Sequence, residues 1–136
     1  MFFWYKFFTY LFYPFSSFYL FIRTLNKKED PKRYKEKLSK INFERDGGYL
    51  IWFHVASVGE AMSILPLIEN FENEKNIKKI LITTITLSSA QILKKRYDYN
   101  KKIIHQFLPL DIPIFVSKFL NHWNPNLAIF IDSEIW

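Results

Sequence analysis

The 136-residue sequence has no cysteine, which excludes a disulfide, a thiolate metal site, a zinc finger and a cysteine nucleophile, and suits a reducing compartment. It has only 3 glycines, and none lies in a G-x-G-x-x-G or a P-loop, so no dinucleotide or Walker-type phosphate site is expected. The three histidines, His54, His105 and His122, have no partner at metal-ligand spacing; no metal site is predicted. Acidic residues are outnumbered, 13 against 19 Lys and Arg, for a formal charge of +6. A basic field of this kind attracts anionic lipid or nucleic acid without choosing between them. There is no internal repeat, and the length is that of about one domain.

What is abundant is aromatic and crowded at one end. Residues Phe2 to Ile22 read FFWYKFFTYLFYPFSSFYLFI, long enough for a bilayer crossing of about 20 apolar residues. Lys6, Thr9, Pro14, Ser16 and Ser17 interrupt the run, and Trp and Tyr favour the headgroup level. The expectation is a hydrophobic membrane anchor over 1–25, tilted, kinked or partly embedded. No small-x-small cleavage site comes after it, so a secretory signal is not predicted. Arg23, Lys27, Lys28, Lys32, Arg33, Lys35 and Lys37 come next, which by the positive-inside tendency keeps the rest of the chain in the cytoplasm and offers charge to anionic headgroups. A basic connector is assigned to 26–46, helical from Asn26 to Lys40. Its charges sit beside the anchor instead of interleaving with aromatics on a sheet, which argues against a nucleic-acid partner.

Residues 47–136 alternate in period. Tyr49 to Val55, Ile80 to Ile85, Ile103 to Leu108 and Leu127 to Ile131 read as strands; Glu60 to Phe71, Ser89 to Tyr97 and Ile112 to Asn121, opened by Asp111 and Pro113, read as helices. Strands and helices in alternation, with short connections, predict an α/β fold with a parallel sheet. Asp132-Ser-Glu-Ile-Trp136 comes directly after the fourth strand with no helix to cover it, so the sheet is expected to be the partial domain of a larger protein.

In open α/β sheets ligands bind beyond the carboxyl ends of the strands. Ala56 to Glu60, Thr83 to Ser88, Pro109 to Pro113 and Asp132 to Glu134 fall on that edge. Ser57-Val-Gly-Glu60 has the spacing of a capping box, with Ser at N-cap and Glu at N3. The same Glu60, at a helix N-terminus that favours its ionised form, also suits a base. Gly59 weakens a first helical turn, which suggests that a ligand or another backbone comes close. His54 is read as a hydrogen-bonded core imidazole or a catalytic one. Thr83, Thr84, Thr86, Ser88 and Ser89 are able to bond a sugar or phosphate, while Ser88 with Gln91 also has capping-box spacing.

The run Leu50-Ile-Trp-Phe-His-Val-Ala-Ser-Val-Gly-Glu60, with Thr83-Thr-Ile-Thr86, Leu108-Pro-Leu-Asp111, Trp123 with Pro125, and Ser133-Glu-Ile-Trp136, resembles the N-terminal half of 3-deoxy-D-manno-octulosonic acid (Kdo) transferases. The resemblance implies a GT-B glycosyltransferase of two Rossmann-like domains, inverting and without a cofactor or required metal. It implies transfer of Kdo from the donor CMP-Kdo to a lipid A precursor (lipid IVA), for lipopolysaccharide, at the cytoplasmic face of the inner membrane. On that pattern Glu60 is the general base, and Ser57, Gly59, Thr83, Thr84 and Glu134 are substrate-binding. The family's Glu-Thr-Glu-Leu-Trp motif falls on Asp132 to Trp136, keeping Glu134 and Trp136. Family members are roughly three times this length, so the CMP-Kdo domain is expected outside these residues. The alternative is a catalytically inactive, membrane-bound remnant that binds lipid or a partner.

Overall fold

A computed structural model describes residues 1–131, and the chain divides into two compact units, Met1–Phe43 with Pro109–His122, and Glu44–Leu108 with Trp123–Trp136. The motif Asp132 to Trp136, with Glu134, lies outside the described residues.

The first unit is built on α1 (Phe2–Leu25), a 24-residue helix with Pro14 inside it. At 1.5 Å per residue it is about 36 Å long, yet among the described residues no helix is long and apolar enough to cross a membrane. A full crossing is thus not borne out for the anchor expected over 1–25, and a tilted or partly embedded one is not tested by this. Four tyrosines, Lys6 and the polar positions through Ser17 dilute the hydropathy of a segment whose length alone would suffice. Only Ser16 and Leu20 of α1 are buried; Phe3, Trp4, Phe8, Phe15 and Phe18 are each 60% or more exposed. Leu20 joins Leu38, Ile112 and Phe115 in a small core.

The connector is not the helix predicted over Asn26 to Lys40. Its only helical turn is a 3-10 segment, Tyr34–Leu38. Pro31 disfavours helix at Asp30, whose Oδ1 instead accepts from the amides of Lys32 (2.8 Å) and Arg33 (3.2 Å), and Ser39 ends the turn in the left-handed region at φ 53. Three of the basic side chains turn inward. Glu29, 3% exposed, accepts from Arg23 Nε at 2.8 Å and pairs with Lys37 Nζ at 2.7 Å; Arg33 forks onto Glu36 at 2.7 and 2.9 Å. Lys27, Lys28, Lys32, Lys35 and Lys40 remain exposed. The unit is completed by α5 (Pro113–Trp123), against which Ser39 Oγ donates to the Phe115 carbonyl at 2.5 Å.

The second unit is a four-stranded, wholly parallel sheet of β1 (Tyr49–His54), β2 (Ile77–Thr84), β3 (Ile103–Phe107) and β4 (Leu127–Phe130) in the order β3-β2-β1-β4. This is the α/β, Rossmann-like sheet that the alternating pattern predicts, with strand bounds that agree to within a few residues. Between the strands run α2 (Val58–Ser63), α3 (Leu65–Asn73) and α4 (Leu87–Tyr97). The single helix expected over Glu60 to Phe71 is two. Pro66, near the start of α3, lacks the N–H that would bond the Met62 carbonyl, and its ring crowds that turn. One face of the sheet carries Ile51, Phe53, Ile80, Ile82 and Ile103, packed on Ile64, Ile68 and Leu93. The other carries Trp52, His54, Thr83 and Gln106, more polar and closed partly by the Trp123 ring, whose Nε1 donates to Gln106 Oε1 at 2.8 Å. Gly48, at φ +97, turns the chain into β1 where a Cβ would meet the Lys78 side chain.

Candidate functional site

Strand β1 lies at the middle of the order, flanked by β2 on one side and β4 on the other. Chain order reverses between β1 and β4, so the carboxyl end of β1 is a topological switch point, where open α/β sheets take their ligands. The loop that leaves it is Val55 to Ser57, and it runs straight into α2.

Ser57 is the N-cap of α2 with extended backbone, and its Oγ accepts from the Glu60 amide at 3.2 Å. Glu60 folds back over the loop. Its Oε2 accepts from the Ala56 amide at 2.6 Å, and its Oε1 from the Ser57 hydroxyl at 3.0 Å. The capping box is therefore real, though displaced by one residue, because the amide that the carboxylate meets most closely belongs to Ala56. That amide holds the Glu60 carboxyl below its usual range, aided by Ser57 and by the His54 charge and opposed by partial burial. An ionised carboxylate, half-buried and fixed by two donors, is equipped to receive a proton and not to give one. Gly59 meets nothing nearer than Ser57 Oγ, at 4.0 Å from an added Cβ. No backbone among the described residues crowds it.

Thr83 and Thr84 are both fully buried on β2. The Thr83 hydroxyl accepts from Trp52 Nε1 at 2.8 Å and lies 3.0 Å from His54 Nδ1; that of Thr84 meets His105 Nε2 at 2.9 Å. Both hydroxyls are thus engaged inside the sheet and bridge strands. His54 is 6% exposed, and burial pushes its imidazole toward the neutral form. It packs edge-to-face on Phe130 of β4, with ring centroids 5.8 Å apart. Trp52 and His54 share this face because they are two residues apart on a strand, a spacing that foretells their meeting; their joint contact with Thr83 depends on the β1–β2 register and is not readable from either segment alone. The N-cap of helix α4 is Thr86, two residues before the Ser88 that the spacing suggests, and its Oγ1 accepts from the Ser89 amide at 3.3 Å. His122 bonds the Phe43 carbonyl at 2.8 Å in the first unit. Among the described residues no cluster of His, Cys, Asp or Glu is able to hold a metal ion. An apolar hollow of about 400 Å³ lies in the first unit between Tyr5, Phe8 and Phe12 of α1 and Leu110 and Ile112; no residue of the Glu60 loop lines it.

The fold and site together are those of a Rossmann-like α/β unit with a pinned carboxylate at the switch point of its parallel sheet. A profile of the 3-deoxy-D-manno-octulosonic-acid transferase (kdotransferase) family matches residues 30–136. The chain belongs to that family. It is 42% identical over 132 residues to a 3-deoxy-D-manno-octulosonic acid transferase of Rickettsia bellii, covering 97% of this chain and 31% of the relative. It is 37% identical over 114 residues to a probable mitochondrial 3-deoxy-D-manno-octulosonic acid transferase of Arabidopsis thaliana, covering 84% and 25%, and 51% identical over 87 residues to the Rickettsia felis transferase, covering 64% and 18%. The chain thus spans a third or less of the length of these relatives. No solved structure matches it.

Proposed function

We propose that this chain forms the acceptor-binding part of a glycosyltransferase that moves Kdo from CMP-Kdo to a lipid A precursor, with Glu60 as general base. The observation that carries the proposal is the Glu60 carboxylate, held by the Ala56 amide and the Ser57 hydroxyl at the end of the central strand. In the reaction the acceptor O–H breaks as its proton passes to Glu60, the oxygen attacks the anomeric carbon of Kdo from the face opposite the nucleotide, and CMP leaves with the bonding pair. Hydrogen bonds to the ionised form keep the carboxylate ready and aimed, at some cost in base strength. Ser57 and Gly59 are proposed to border the acceptor. Thr83 and Thr84 contribute by fixing the strands beneath it, and Glu134 is retained as a proposed substrate contact on the family motif alone. The donor is proposed to be held by a second Rossmann-like domain, of GT-B type, outside residues 1–136.

The same reading puts the chain at the cytoplasmic face of an inner membrane, lying in the interface instead of crossing it. Support comes from the exposed aromatic surface of α1 and the exposed lysines beyond its end. Rings of Trp and Tyr settle at headgroup depth, and each lysine near an anionic surface contributes about 1 kcal/mol.

The test is Kdo transfer from CMP-Kdo to a lipid A precursor in membranes holding this chain, alone and with a separately expressed C-terminal half of a related transferase. Transfer that needs both chains and falls in Glu60→Gln supports the proposal. Absence of transfer in both, with the chain folded and membrane-bound, favours the second reading, a lipid- or partner-binding module, for which the exposed surface of α1 is the supporting observation.

A further inference from the structure

The Thr83 hydroxyl has three neighbours: Trp52 Nε1 at 2.8 Å, His54 Nδ1 at 3.0 Å and the Phe53 carbonyl at 3.4 Å. A hydroxyl donates once and accepts twice. Trp52 is a donor only, so it takes one acceptor position whatever else happens. The hydroxyl proton then has two destinations. Given to His54 Nδ1, it fixes the neutral imidazole with its own proton on Nε2. Turned to the Phe53 carbonyl, it leaves the second lone pair free to accept from a protonated Nδ1. The hydrogen bonds on this side of the ring are therefore complete in both charge states, with no side chain moved. Nε2 has no hydrogen-bond partner among the described residues and is not among the buried unsatisfied atoms.

The same threonine anchors the Glu60 loop. Its carbonyl accepts from the Val55 amide at 3.0 Å, and the next amide along, that of Ala56, is the one bonded to Glu60 Oε2. His54 and Glu60 are within each other's electrostatic reach. From the elements packed around the ring, β2 presents Thr83 and β4 presents Phe130, neither of them charged; among the described residues Glu60 is the one titratable group that acts on it.

We propose that His54 is a positioning residue for Glu60, a switchable charge seated on Thr83 whose protonation weakens the carboxylate as a base. The inference rests on the reading of Glu60 given above. With His54 neutral, Glu60 keeps what basicity its hydrogen bonds leave it. With His54 charged, the carboxylate is further stabilised in its ionised form and holds a proton less well. Transfer is therefore lost as pH falls through the His54 midpoint, before Glu60 itself titrates. Burial sets that midpoint below the ordinary histidine value of 6.5.

The experiment is a pH titration of the ¹⁵N-labelled chain by long-range ¹H–¹⁵N spectra, with His54→Gln used to assign the resonance against His105 and His122. Expected are a neutral, Nε2-protonated His54 at pH 7, a midpoint that moves down in Glu60→Gln because the neighbouring anion is gone, and a mixture of tautomers in Thr83→Val. Thr83→Ser, which keeps the hydroxyl, restores the single tautomer and guards against a Val variant that fails to fold. In the two-chain transfer assay, His54→Gln shifts the acid limb of the pH profile. A His54 midpoint unmoved by Glu60→Gln overturns the proposal, as does an acid limb unmoved by His54→Gln. A midpoint that moves as expected while no transfer is found overturns the glycosyltransferase reading and leaves the coupling of the two residues upheld.

Discussion

Glu60→Gln keeps the shape and the acceptor oxygen of the side chain while removing its capacity to take a proton. Transfer is expected to fall by about 10²- to 10⁴-fold, the usual contribution of a general base, with the circular dichroism spectrum unchanged; an unaltered rate would remove Glu60 from the chemistry. Gly59→Ala separates packing from function. The added methyl meets open space, and alanine gains up to about 1 kcal/mol over glycine within a helix, so thermal stability should hold or rise while transfer falls. A variant that is both more stable and fully active would show that no ligand needs the space. Acid should destabilise the fold in two steps. His54 is held neutral, so its contribution is present above its ordinary value of 6.5 and lost as pH falls from there through its lowered midpoint. Glu60 is held ionised, so its contribution is present above 4.5 and lost as pH falls through a value lower still. Melting temperature against pH should show both losses in the same direction, with the lower one flattened in Glu60→Gln. At this scale the sequence is informative about Ser57 and Glu60, which are three residues apart and meet by local geometry. It is silent on Thr83, 29 positions from His54, because their contact is made by strand pairing and not by spacing.

The elements teach a related lesson. All four strands and α4 and α5 are legible, since long apolar runs and periodic faces with short loops leave little choice. Two departures have local causes: Pro66 divides one helix into two, and the Asp30-Pro31 turn replaces a helix in the connector; the tyrosines of α1, for their part, hold its hydropathy under that of a spanning segment. The connector also shows that a run of positive residues is not a count of free charges, because Arg23 and Lys37 close on the buried Glu29. Glu29→Ala would strip the carboxylate from a lysine that is 5% exposed, and breaking such a pair from one side costs about 3–5 kcal/mol. Denaturant unfolding should report a loss of that order, and much less for Lys28→Ala. Binding to vesicles gives the complementary test. Replacing the exposed Lys27, Lys28, Lys32 and Lys35 by Gln should weaken binding to anionic vesicles steeply and to neutral ones little, and removing residues 2–25 should weaken both.

For the whole molecule, the parallel order β3-β2-β1-β4 sets the sequence in which contacts are gained and lost. The β1–β2 pairing joins segments near in the chain, whereas β1–β4 joins Ile51 to Leu127 and closes a far longer loop, which is entropically dearer and slower to form. Strand β4 is also one of the two outer strands of the sheet among the described residues, with Leu127 and Phe130 each 41% exposed. Amide exchange should therefore be slowest in β1 and β2, with β4 opening first and at lower free energy. The Glu60 cradle hangs from the slow side, through the Val55 amide on the Thr83 carbonyl. Opening of β4 would release the Ile131 amide from the His54 carbonyl and lift Phe130 from the imidazole, while the carboxylate stays in place. The Glu60 carboxylate belongs to the side of the sheet expected to persist and the His54 ring borders the strand expected to open first, so the two should differ in protection by the full depth of that local opening.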